Sequence, residues 1–131
     1  MSKLVSIPGG DVLDTLKNKG GLDKYKPYSK DIYLFSTHIA GTSHVPNILE
    51  LEPHIIENLE VHFFREPNNP FDKKAIVIRD NDNNKIGYVP RDRNDIISNL
   101  MDAGKIIFGK VTGKELKNKY VDIKIDVYFK D

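Results

Sequence analysis

The chain has 131 residues, 20 Lys+Arg against 19 Asp+Glu for a formal net charge of +1, and no cysteine. That length is most simply one domain with a real core, and the missing thiols exclude a disulfide framework, a cysteine nucleophile and a cysteine-ligated zinc site. The balanced charge argues against a protein that holds nucleic acid mainly by neutralising many phosphates, which would usually carry a clear basic excess because each such contact adds counterion release; nucleic-acid binding is expected to come from a compact local site.

No run approaches the ~18 apolar residues of a membrane span, and the opening MSKLVSIPGGDVLDTLKNKGG lacks the apolar segment of a signal peptide. A soluble, cytoplasmic protein with no membrane partner is expected. Residues 1–30 read as an arm separate from a domain at 31–131. Asp11 to Lys19 suits a short helix, with Val12, Leu13 and Leu16 on one side and Gly20 and Gly21 as its stop, before the linker GLDKYKPYSK. From Asp31 the pattern turns to strand through Ala40, broken by Gly41. Val45 to Asn58 is bracketed by Pro46 and Pro53 and leaves room for one helical turn capped by Asn47, or an irregular crossing.

Leu59 to Ile78, LEVHFFREPNNPFDKKAIVI, reads as strand, rigid polar corner, strand. Val61 and Phe63 alternate with polar neighbours going in, and Ala75 to Ile78 form an apolar run coming out. Pro67 and Pro70 fix their own φ near ~−65° and hold Glu66 and Asn69 extended. RDNDNN is a hairpin turn, since Asn and Asp tolerate left-handed backbone, and Lys85 to Val89 resumes the strand. Arg91 to Gly104 is the best helix: Asp92 can cap it, Ile96, Ile97, Leu100 and Met101 share one face, and Gly104 ends it. Two strands follow, Lys105–Val111 and Tyr120–Phe129, with GKELKNK as the loop between and Val121, Ile123, Ile125, Val127 and Phe129 inward. Runs of strands without β-α-β alternation argue against a parallel sheet. A mainly β fold is expected, a small, partly open OB-like barrel of five to six strands with one main helix after the central hairpin.

The corner carries the chemistry. Glu66, Asp72, Lys73 and Lys74 put acids and bases together, yet a Mg²⁺-dependent nuclease needs two or more carboxylates converging on the metal, and one corner with prolines between supplies at most a pair. His38, His44, His54 and His62 show neither i, i+4 pairing nor a partner ligand set, so they read as surface or packing residues. Phosphate-loop and dinucleotide-binding glycine motifs are absent. No enzyme, cofactor or metal is expected. Phe71, Tyr88 and Tyr120 each fall at a strand end or loop edge, where an aromatic is either core or a platform for a base.

REPNNPFDKKAI, then KIGYVPRD, an amphipathic helix and MDAG closely resemble the HIRAN domain, a module of Swi2/Snf2-type fork-remodelling helicases that also occurs as small stand-alone bacterial proteins. The resemblance covers roughly Asp31 to Phe129 and implies a modified OB-like barrel that grips the free 3′ end of single-stranded DNA, in DNA repair or replication-fork processing, with a helicase or nuclease partner supplying any catalysis. It implies that Asp72 accepts a hydrogen bond from the 3′-hydroxyl and Phe71 packs on an end base or sugar. Asn68 and Asn69 would shape the pocket and contact the strand, Arg91 would meet a phosphate, Tyr88 would line the groove, and Tyr120 would stack a second base. His38 completes the implied DNA-binding set. The family's usual tyrosine is Phe71 here, and Thr37, His38 and Ile39 stand where helicase members are aromatic and start with arginine. One stacked base contributes roughly 1–3 kcal/mol. Two stacks and a charged hydrogen bond, less association costs, imply micromolar affinity. The other reading is a protein-interaction adaptor on the same barrel with no DNA binding.

Overall fold

The computed structural model describes residues 30–130. The helix expected over Asp11–Lys19 and the linker after it lie outside the described residues. Strand β1 (Asp31–His38) is followed by a 3₁₀ turn (Thr42–His44), the one-turn helix α1 (Ile48–Leu51) and a second 3₁₀ turn (Glu52–His54). Then come β2 (Glu60–Arg65), β3 (Ile76–Arg79), β4 (Lys85–Tyr88), the helix α2 (Arg91–Asp102), β5 (Ile106–Leu116) and β6 (Val121–Lys130). Asn47 occupies the cap position of α1, but its side chain makes no cap hydrogen bond.

All six strands are antiparallel in one sheet of order β1-β6-β5-β2-β3-β4. The sheet curls until its two edges meet at a single bridge. Ala40, just past β1, exchanges both backbone hydrogen bonds with Tyr88 of β4, at 2.7 and 2.8 Å. Gly87 makes that approach possible, because a Cβ there would stand 2.5 Å from the Ala40 carbonyl oxygen and from Ile39 Cγ2. The result is a mainly β, partly open OB-like sheet of the kind expected.

Period-2 alternation accounts for the core. Val121, Ile123, Ile125 and Val127 of β6 are fully buried, as are Val61 of β2, Ile76 and Ile78 of β3 and Ile86 of β4. Phe129 is only half-buried at the rim of this cluster. Helix α2 closes the core with Ile97, backed by Leu100 and Met101.

Three further expectations are corrected. Ile96 is 62 % exposed, because the inward stripe of α2 runs through Asn94, Ile97, Ser98 and Met101 instead. Asp92 does not cap α2: Pro90, already extended, accepts the first helical hydrogen bonds from Arg93 and Asn94, leaving Asp92 inside the first turn. The GKELKNK loop is shorter than its polarity suggests, since Gly113 to Leu116 pair with Val121 to Lys124 and only the turn from Lys117 to Tyr120 remains. Backbone pairing with β6 sustains that stretch although it adds no side chain to the apolar core; Lys114 instead reaches Glu52, donating to its carbonyl and pairing with its carboxylate at 2.6 Å.

Gly104 does end α2. With φ of +90° it donates to the Met101 carbonyl while Lys105 donates to Leu100, the paired bonds of a left-handed helix stop. Among the described residues no helix is long and apolar enough to cross a membrane.

Candidate functional site

The corner between β2 and β3 is built on side-chain hydrogen bonds. Its base closes where the Glu66 N–H donates to the Ala75 carbonyl at 2.9 Å. Asn69 then organises the tip: its Oδ1 accepts from the N–H groups of Phe71 (2.8 Å) and Asp72 (3.1 Å), and its Nδ2 donates to Glu66 Oε1 at 3.0 Å. The Asn69 side chain is therefore committed to the shape of the corner, whereas Asn68 is exposed with no side-chain partner among the described residues. Tyr88 also donates through its hydroxyl to Glu66 Oε1, at 2.8 Å, which ties β4 to the corner. Burial opposes ionisation of Glu66, but the Asn69 and Tyr88 hydrogen bonds and the charges of Lys85 and Arg79 outweigh it and leave the carboxyl below its ordinary value.

Helix α2 tethers the corner at three points. Arg65 at the end of β2 donates from Nε and Nη2 to the two carboxylate oxygens of Asp102 (3.0 and 3.3 Å) and from Nη1 to the carbonyls of Lys73 and Ala75. Lys74 pairs with Asp95. Asn94 donates from Nδ2 to Asp72 Oδ2 at 2.8 Å.

Asp72 is the carboxylate at the centre of this arrangement. Its Oδ1 accepts from the Lys74 backbone N–H at 2.9 Å, its Oδ2 from Asn94, and Arg91 Nε stands 3.7 Å from Oδ2. The Lys74 N–H first, then the Asn94 amide, then the Arg91 and Lys74 charges hold its carboxyl below the ordinary value against partial desolvation. Both corner carboxylates are thus ionised at neutral pH, which suits acceptors and clamps and leaves neither with a proton to give. Among the described residues no three His, Asp or Glu side chains gather as metal ligands.

An open cleft of about 1250 Å³ runs along the corner. Of the residues the sequence singles out, Asn68, Asn69, Phe71, Asp72, Tyr88 and Arg91 line it. Phe71 is 83 % exposed, a ring held out at the cleft edge with almost no packing of its own. Tyr88 lies beneath Lys85, whose Nζ is 4.6 Å from the ring centroid. His38 and Tyr120 do not line the cleft: His38 is exposed on β1 opposite Lys124, and Tyr120 is 38 % exposed at the β5–β6 turn. The three aromatics expected around one corner are therefore two.

Ala40, Gly41, His44, Lys85 and Asn94 also line the cleft. Ala40 and Gly41 arrive through the bridge between the two edges of the sheet, which no local pattern announces. Asn94 did leave a trace in sequence, as a polar residue on the apolar stripe of α2.

Comparison with known proteins gives the fold its relatives. Curated proteins offer no match. A crystal structure of a protein from Lactobacillus plantarum is similar at a TM-score of 0.73 and 22% identity, over 79% of this chain and 98% of that one. The crystal structure of the HIRAN domain of human HLTF is similar at a TM-score of 0.59 and 22% identity, over 76% of this chain and 78% of that one. The NMR structure of the same HLTF domain in its DNA-bound conformation is similar at 0.52 and 21% identity, over 76% and 79%. Residues 32–130 match the family model of the HIRAN domain, and the chain belongs to that family.

Proposed function

We propose that this protein is a non-catalytic DNA-binding module whose cleft receives the free 3′-hydroxyl end of a single strand. The observation that carries the reading is Asp72, an ionised carboxylate in the cleft with one protein donor on each oxygen and acceptor capacity left on both. A terminal hydroxyl donates to it. A terminal phosphate brings like charge against it and is repelled. Phe71 offers its exposed face to the end base or sugar, and Arg91, at the cleft wall, meets the phosphate one nucleotide back. Asn68 contacts the strand, Asn69 and Tyr88 keep the corner in shape through Glu66, and His38 and Tyr120 meet the strand upstream of its end. The DNA-bound conformation of the HLTF domain supports the ligand class. The formal net charge of +1 fits a short footprint with shallow salt dependence. In this reading the module works in DNA repair or fork processing beside a helicase or nuclease that performs the chemistry.

Fluorescence anisotropy with single strands ending in 3′-hydroxyl or 3′-phosphate, and with 5′-phosphorylated controls, tests the reading. Micromolar binding that requires a 3′-hydroxyl and ignores the 5′ end is expected. Equal affinity for every end would sink it.

A further inference from the structure

Asn94 is a polar side chain in an apolar position. It is 5 % exposed and sits on the stripe of α2 that carries Ile97 and Met101 into the core. Burying an amide there costs free energy unless it is hydrogen-bonded, and among the described residues its side chain makes one such bond, to Asp72 Oδ2. An amide retained for packing alone would be replaceable by leucine or methionine; this one reaches out of the core to the cleft carboxylate.

We infer that Asn94 is a positioning residue for end recognition, which holds the Asp72 carboxylate in the plane where its open lone pairs face the terminal hydroxyl and keeps it from collapsing onto Arg91. The inference rests on the reading of the cleft as the receiver of a 3′ end. Two donors approaching from different sides, the Lys74 N–H on Oδ1 and the Asn94 amide on Oδ2, fix the rotation of the carboxylate about its last bond. Arg91 Nε stands 3.7 Å from the same Oδ2, outside hydrogen-bond range but within easy reach of a small rotation. Without the Asn94 donor, Oδ2 turns to the guanidinium. The loose ion pair of 3.7 Å then tightens into a direct hydrogen-bonded one that consumes both ligand groups at once, since Asp72 loses the lone pair meant for the hydroxyl and Arg91 the donors meant for the phosphate. A neutral buried amide prevents this because it satisfies Oδ2 without cancelling its charge.

The test pairs Asn94→Ala with a measurement on the unmodified protein. In Asn94→Ala, affinity for a 3′-hydroxyl strand should fall about tenfold, the loss of a charge-assisted contact, while the weak binding of a 3′-phosphate strand stays level, so that the preference collapses. In the unmodified protein, side-chain amide NMR signals of Asn94 should shift on adding a 3′-hydroxyl strand and stay put with a 3′-phosphate strand at equal concentration; this needs no variant to fold. A folded Asn94→Ala variant with full end preference, or an Asn94 amide indifferent to the 3′-hydroxyl strand, overturns the inference and leaves the proposed function standing. Equal affinity of the unmodified protein for both ends overturns the two together.

Discussion

Two polar turns in this molecule read alike and behave differently. The β2–β3 corner and the β5–β6 turn both combine asparagine, lysine and an aromatic, as NNPFDKK and KNKY. The first is cross-braced: Asn69 alone makes three side-chain hydrogen bonds, and Glu66, Asp72, Arg65 and Lys74 connect it to β4 and α2. In the second, a backbone bond from Lys117 to Tyr120 at 2.8 Å and a surface pair between Lys117 and Glu115 carry the turn. A display of side chains becomes a site when carboxylates and amides fix one another, because only then is the geometry present before the ligand arrives.

The same substitution in each turn tests that contrast. Asn69→Ala removes three hydrogen bonds and leaves the N–H groups of Phe71 and Asp72 unpaired, so stability should fall by about 1–3 kcal/mol and end preference should go with it. Asn118→Ala should lie within about 0.5 kcal/mol of the parent. Urea denaturation of the two variants gives the comparison directly. Equal costs would remove the distinction between the turns.

The aromatics sharpen it. Phe71→Ala should weaken strand binding by the worth of one stacked base, roughly 1–3 kcal/mol, with stability unchanged because the ring is 83 % exposed. Tyr120→Ala, off the cleft, should weaken binding less and to the same degree for every strand end.

The smallest effect is on acid stability. Glu66 and Asp72 have carboxyls below their ordinary values in the folded protein, so each contributes stability that is present above the unfolded carboxylate pKa, near ~4, and is lost as pH falls through the folded one. Stability should hold level from neutral pH to about 5 and decline below that, where the unfolded chain takes up protons first. Glu66→Gln should flatten the decline in an acid titration followed by circular dichroism. A decline as steep as the parent's would mean that Glu66 does not hold the corner.

What the sequence discloses follows the range of each interaction. The strands were legible because alternation is local, as in Val121, Ile123, Ile125 and Val127, and the corner because proline and asparagine constrain their own neighbours. The helix stop at Gly104 was legible for the same reason. The brace was not, since Glu66–Tyr88 and Asp72–Asn94 each join residues 22 positions apart. Nor was the bridge between Ala40 and Tyr88, which brings two residues of the cleft from just past the end of β1. Polarity misled at GKEL, where pairing with β6 replaces burial, and helical spacing misled at Ile96, where the stripe that faces the core includes Asn94 and Ser98.

Asp72 is the group proposed to read the strand's end. Its most direct test is the ratio of dissociation constants for 3′-phosphate and 3′-hydroxyl strands, measured by anisotropy on the parent and on Asp72→Asn, which keeps the side chain's size and removes its charge. A ratio of about ten or more in the parent that falls toward one in Asp72→Asn is the expected result; a ratio near one in the parent, or one that survives the substitution, contradicts it.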